Sequence, residues 1–188
     1  MQSLLQWDRA LLRHINADWH TSFLDWLLPF LRNADTWTPL YFFLVLLVLI
    51  NYKKTGWWWF AMAAITVALS NFISSDLIKE NVHRLRPCNN PALAGWIRIL
   101  PGLHLPQSSS FTSSHAANHF SMATFFYLTL KKEIGKWAGL FFVWATAICY
   151  AQMYVGVHYP IDIICGTIVG VSVGVGTSTF FNKKWGLL

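Results

Sequence analysis

Charge is scarce in this chain. Asp, Glu, Lys and Arg make up 12% of its 188 residues, where a soluble domain carries about 25%. Hydrophobic residues account for 55%, with 11 Trp and 14 Phe among them. This balance excludes an ordinary soluble domain and points to lipid as the main solvent. Cysteine is sparse too: Cys88, Cys149 and Cys165 show no metal or redox spacing, and the latter two lie inside apolar segments, where they read as packing residues. No apolar stretch followed by small residues opens the chain, so a cleavable signal peptide is not expected. The composition fits one domain over 1–188.

The charge that is present is basic, with a formal net of +6. Of the eight Lys, seven fall in three clusters: Lys53-Lys54, Lys131-Lys132 with Lys136, and Lys183-Lys184. Each cluster borders a long apolar segment, the pattern that the positive-inside rule gives to short cytoplasmic loops. A membrane accounts for the charge, and no nucleic-acid partner is expected.

The apolar pattern predicts an all-α, polytopic membrane helical bundle. Residues 3–17 set Leu4, Leu5, Leu11, Leu12 and Ile15 at helical spacing among charged residues, as in an amphipathic helix at the interface. Residues 22–32 are apolar but shorter than the roughly 20 residues a crossing needs. Residues 1–36 therefore read as interfacial helices. Five spans are expected at about 37–52, 57–77, 115–130, 136–156 and 160–181, with Trp57-Trp58-Trp59 as an aromatic anchor. Gly166, Gly170 and Gly174 recur every four residues and would let a neighbouring helix approach closely. Counting crossings puts all three Lys clusters on one side. The N-terminus, the loop 78–114 and the turn 157–159 fall on the other, non-cytoplasmic side.

Three polar constellations gather at that outer face. Lys79 and Arg86 are seven apart, with His83 between them and Pro87 after. If the helix of the second span persists, both cations project from one face, with Pro87 marking its end. Such a pair can clamp phosphate oxygens, or simply hold anionic headgroups. Next, Thr112-Ser113-Ser114-His115 precedes the third span. Ser suits a helix N-cap, free backbone N–H groups there can face an anion, and His115 can protonate a leaving oxygen. Capping alone would also explain the serines. Last, His158 and Asp162 flank Pro160, which suits the first position of the fifth span. Asp162 there can fix the imidazole tautomer and free the other nitrogen to attack, or merely favour a helix start. His119 reads as a packing residue, and 88–110 as a cover over the site.

These residues resemble the type-2 phosphatidic acid phosphatase family, which includes membrane lipid phosphatases and the related vanadium haloperoxidases. The family pattern is K-x6-R-P, P-S-G-H and S-R-x5-H-x3-D. The first motif is complete in Lys79 to Arg86-Pro87, and the third keeps His158 and Asp162 at its spacing. The resemblance implies a phospho-histidine intermediate on His158, oriented by Asp162, with His115 as acid. It also implies Lys79, Arg86 and Ser113 as phosphate ligands, to which Ser114 and Gln152 are added. Two departures stand out. The second motif reads Thr112-Ser113-Ser114-His115, and the Ser-Arg pair of the third is Ala151-Gln152. Gln donates hydrogen bonds but brings no charge. Either Arg84 or Arg98 replaces the missing cation, or phosphate binds more weakly, or turnover is lost.

The expected activity is metal-independent hydrolysis of a lipid phosphate at the outer face of a bacterial plasma membrane, with no cofactor. Undecaprenyl diphosphate is the first candidate substrate, with lipid A phosphates and phosphatidylglycerol phosphate as alternatives. The competing class is a non-catalytic lipid-binding or translocating protein. A channel or transporter is disfavoured because the polar residues sit at one face rather than along a path.

Overall fold

Apolar runs broken by Lys and Gly set the helices. The computed structural model describes residues 2–187. Its α-helices are α1 (Gln2–Arg13), α2 (Ser22–Arg32), α3 (Thr38–Asn71), α4 (Ser114–Ile134), α5 (Leu140–Tyr154) and α6 (Pro160–Lys184). No strand occurs among the described residues. Three helical stretches are long and apolar enough to cross a membrane: Ala34–Lys79, Ser114–Tyr154 and Pro160–Lys184.

Two of those stretches double back. In α3 the backbone leaves helical geometry at Lys53 (φ 46°, ψ −117°). The returning arm packs so tightly that a Cβ on Gly56 would lie 2.9 Å from the Val48 carbonyl oxygen. The second reversal falls at Gly135, with φ 58°. Across it Phe126 meets Phe141 at 5.3 Å and Tyr127 meets Phe142 at 5.4 Å. The result is five rods in the order expected. The fourth starts later than expected because Gly135–Gly139 forms a 3-10 turn before α5.

The aromatic triplet divides its duties. Trp57 and Trp58 are exposed, and Trp58 stacks on Trp185 at 4.7 Å. Trp59, by contrast, is fully buried against Phe125 and Phe126 and donates to Thr129 Oγ1 at 2.9 Å. Its indole N–H therefore has the partner that burial requires.

The two N-terminal helices do more than lie at an interface. Phe23, Trp26 and Phe30 of α2 are exposed, as a lipid-facing surface would be, but Leu28 packs with Tyr154 and Val155 at the end of α5. In α1, Leu4 and Leu5 are exposed while Leu12 and Asp8 are fully buried. A carboxylate without water is costly unless it is paired, so α1 is docked through a specific polar contact.

The ends of the bundle differ in charge. Lys131 and Lys132 end α4, and Lys183 and Lys184 end α6. Trp58, just past the Lys53 reversal, touches Trp185 at the same end. Ser113 and His158 lie at the starts of α4 and α6, the opposite end. There the helix N-termini are held together by small residues. A Cβ on Gly166 would sit 2.5 Å from the Ser113 carbonyl oxygen, and one on Gly174 would sit 2.6 Å from Thr124 Cβ. At Gly170 the obstacle is the Ala117 carbonyl oxygen, which is backbone and cannot swing away.

This contact makes a paired prediction. Gly170→Ala should lower stability by roughly 1–3 kcal/mol through overpacking. Gly176→Ala, with nothing within 4 Å of the added methyl, should be neutral or slightly stabilising. Thermal unfolding of the two variants in detergent checks this, and equal destabilisation would contradict the close α4–α6 packing.

Candidate functional site

The site is built around a carboxylate removed from water. Asp162, in the first turn of α6, is fully buried. Its Oδ2 accepts from the Tyr159 backbone N–H at 2.9 Å and from the Ser110 hydroxyl, while Oδ1 accepts from Arg84 Nη1 at 2.5 Å. Its backbone carbonyl takes the Ser113 N–H at 3.1 Å, joining the start of α4 to the start of α6. The other arm of Arg84 reaches Asp8 of α1 at 2.5 Å, and Asp8 also accepts from the Ile161 N–H at 2.9 Å. The guanidinium plane lies 3.9 Å from the Tyr159 ring centre. Burial acts to loosen the Arg84 proton, but Asp162 and Asp8 outweigh it and leave its pKa above the ordinary value.

His158 sits in the turn between α5 and α6 and is 1% exposed. Its Nδ1 lies 3.6 Å from Asp162 Oδ2, just beyond hydrogen-bonding range. On the other side Nε2 is 3.2 Å from Arg86 Nη1. A guanidinium can only donate, so Nε2 carries the lone pair and the proton belongs on Nδ1, toward Asp162. Burial, with the Arg86 and Lys79 charges, pushes the imidazole down to about 4 against the smaller pull of Asp162. At neutral pH it is therefore uncharged, with its basic nitrogen facing a cation. The same shift bears on stability: an unfolded His protonates below about 6.5, so this contribution is present above that pH and is lost as pH falls toward 4.

Arg86 reaches this position differently from the expectation. The helix widens over Phe72–Lys79 and stops there. The Asn81 side chain bonds the Leu77 carbonyl at 2.6 Å, competing with the ladder as Asn does at helix ends. Residues 82–86 are not helical, so Lys79 and Arg86 do not share a helix face. His83 is exposed. Arg86 is carried in on irregular backbone, with the Arg84 carbonyl taking Ser110 N–H and Gly156 taking Cys88 N–H at 2.9 Å. Its guanidinium is held by the Ser108 carbonyl at 2.9 Å, the Ser108 hydroxyl at 3.1 Å and the Val157 carbonyl at 3.2 Å. Burial, first of all, keeps its pKa below the ordinary value.

The remaining candidates surround this pair. Lys79 Nζ donates to Ser114 Oγ at 2.8 Å, and Ser114 meets Ser75 at 2.7 Å. Ser113 caps α4, its Oγ accepting from the Ala116 N–H at 3.3 Å. His115, in the first turn of α4, makes no ring hydrogen bond among the described residues. His119 packs edge-on to Trp144 and bonds the His115 carbonyl at 2.8 Å. Gln152 is fully buried, and neither end of its amide has a partner among the described residues.

Neither arginine considered as a substitute for the missing cation is free. Arg84 is committed to its two carboxylates, and Arg98 pairs with Asp25 at 2.8 Å and donates to the Asn16 carbonyl at 3.1 Å. The sequence reading missed Asp8, Ser108 and Ser110. For Asp8 a signal was present: it lies on the same helical stripe as Leu4, Leu5, Leu11 and Leu12, an acid on an apolar face. The run Ser108–Ser110 offers no such signal.

Comparison with known proteins places the chain in a family and a fold. Residues 55–186 match the PAP2 superfamily model. Lipid A 4'-phosphatase of Bacteroides thetaiotaomicron is 30% identical over 167 residues, covering 87% of this chain and 72% of the relative. The Porphyromonas gingivalis protein of the same name is 27% identical over 178 residues, covering 93% and 72%. Among solved structures, the PAP2 type phosphatidylglycerolphosphate phosphatase of Bacillus subtilis superposes with a TM-score of 0.72 at 17% identity, over 98% of this chain and 89% of that one. LpxE of Aquifex aeolicus gives 0.67 at 23% identity, over 90% and 93%. With its apolar rods and a family match over most of its length, the chain is an integral membrane protein of the PAP2 superfamily.

Proposed function

We propose that this protein dephosphorylates a lipid through a phospho-His158 intermediate, and that its substrate is the 4'-phosphate of lipid A or a similar glycolipid phosphate. The observation that carries the mechanism is the line Arg86–His158–Asp162, with the neutral imidazole nitrogen 3.2 Å from a guanidinium. Phosphate oxygens drawn to Arg86 and Lys79 would bring phosphorus within reach of Nε2. Nε2 attacks, the bond from phosphorus to the lipid oxygen breaks, and His115 gives that oxygen its proton. Asp162 stabilises the charge on the His158 ring. Water then attacks the phospho-histidine, His115 takes a proton back, and free phosphate leaves. Ser113, Ser114 and the helix start they occupy add donors around the phosphate.

The choice of lipid rests on the two relatives named for lipid A, which moves that alternative ahead of undecaprenyl diphosphate. The basic end of the bundle suits the cytoplasm, which would turn the site toward the periplasm of a bacterial inner membrane.

Phosphate release from a panel of lipids, with EDTA present, tests this reading. The purified protein should act on lipid A 4'-phosphate in preference to undecaprenyl diphosphate and phosphatidylglycerol phosphate. His158→Ala should lose at least about a thousandfold in rate. Faster turnover of undecaprenyl diphosphate would replace the substrate and leave the mechanism standing. A wild type that binds these lipids but releases nothing would favour the non-catalytic reading instead.

Gln152 gives a second test. An unpartnered buried amide costs stability, and one bonded to a charged ligand gains it. Gln152→Met should leave the free protein at least as stable, yet weaken inhibition by inorganic phosphate roughly tenfold. Unchanged inhibition would remove Gln152 from the phosphate site.

A further inference from the structure

Arg32 ends α2 and has no role in the account so far. It is partly buried, yet its guanidinium makes no ion pair among the described residues. Arg84, Arg86 and Arg98, its neighbours at the same end of the bundle, are each held by two or more partners. Of the two acids near it in sequence, Asp35 makes no ion pair with it among the described residues, and Asp25 is taken by Arg98 at 2.8 Å and by the Tyr154 hydroxyl at 2.5 Å.

The surroundings of Arg32 are those of a binding site. It lines a cavity of about 420 Å³ together with Pro29, Asn33, Leu103, His104 and His115. That is space enough for a polar headgroup. His115 is the proposed proton donor to the leaving oxygen, so the cavity opens on the side of the scissile bond where the rest of the lipid must lie. The Arg32 charge also reaches inward: after burial, it is one of the influences that hold the Arg86 proton loosely. Neither Arg32 nor Arg86 has an ion pair with a carboxylate among the described residues, which favours an incoming anion. The position in the bilayer fits as well. Phe23, Trp26 and Phe30 expose the outer face of α2 to lipid, which sets its end at headgroup depth. A cation in the last helical turn is also favoured by the helix dipole, but that would hold for any direction of the side chain and gives no reason for a cavity shared with His115.

We propose that Arg32 is a substrate-binding residue that holds an anionic oxygen of the lipid on the leaving-group side of His115. This rests on the lipid phosphatase reading. The oxygen belongs either to the reacting phosphate, where Arg32 would supply the positive charge that Gln152 lacks, or to a second anionic group on the same lipid.

The test compares wild type, Arg32→Gln and Arg32→Lys as full-length proteins on two substrates: lipid A with the 4'-phosphate alone, and lipid A with two phosphates. Arg32→Gln should raise KM about tenfold with kcat within about threefold, while Arg32→Lys keeps most of the affinity. A rise on both lipids assigns Arg32 to the reacting phosphate, and a rise only on the doubly phosphorylated lipid assigns it to the second group. Unchanged KM on both, or a fall in kcat alone, overturns the proposal. A binding arm separates this from failure of the phosphatase reading. In the His158→Ala background, Trp fluorescence titration with the same intact lipids should show about tenfold weaker binding when Arg32 is Gln. Equal binding there overturns the role of Arg32 whether or not the wild type releases phosphate.

Discussion

Asp8 and Asp162 are both fully buried at the start of α6, and Arg84 is the cation that stands between them. Each buried carboxylate costs several kcal/mol in lost hydration, and only good geometry with additional hydrogen bonds offsets this. Here both conditions hold: each acid receives one arm of the guanidinium and at least one backbone N–H, and Asp162 has the Ser110 hydroxyl in addition. Removing Arg84 would leave two uncompensated charges, a loss on the order of 3–5 kcal/mol. The same contact fixes α1 to α6, the 108–110 segment to both, and Asp162 beside His158. The proposed nucleophile is thereby oriented by a network whose far end lies in an N-terminal helix.

That network also keeps the two kinds of cation apart. Arg84 is neutralised by its carboxylates and serves the scaffold. Arg86 and Lys79 are held by neutral groups alone, the oxygens of Ser108, Val157 and Ser114 and the His158 imidazole, so their charge is not cancelled. In a site largely shielded from water their attraction for an anion is strengthened. A phosphate arriving there would meet donors already in place, and little rearrangement would be needed at the moment of reaction.

Much of this was legible in the sequence, for reasons that differ by residue. The five rods follow from apolar runs ended by Lys and Gly, and the close approach of α4 and α6 from the four-residue glycine spacing. His158, Asp162, Lys79 and Arg86 were found through motif spacing, and they do gather at one end of the bundle. Lys79 and Arg86 nevertheless do not share a helix face, because the helix stops at Lys79 and irregular backbone delivers Arg86. Tertiary contacts with Ser108, Ser110 and Gly156 decide that path, and no local pattern encodes them. For the same reason α1 read as an interfacial helix: its stripe of Leu was visible, but Asp8 acquires meaning only from Arg84, 76 positions away.

The most direct test of the account is to look for the covalent intermediate. Wild type mixed with lipid A labelled in its 4'-phosphate, then quenched in alkali, should carry a label that survives base and is released by acid, as a phospho-histidine does. His158→Ala should carry none. Turnover in wild type without a trapped label, together with turnover that persists in His158→Ala, would contradict the account and assign the chemistry to a different nucleophile.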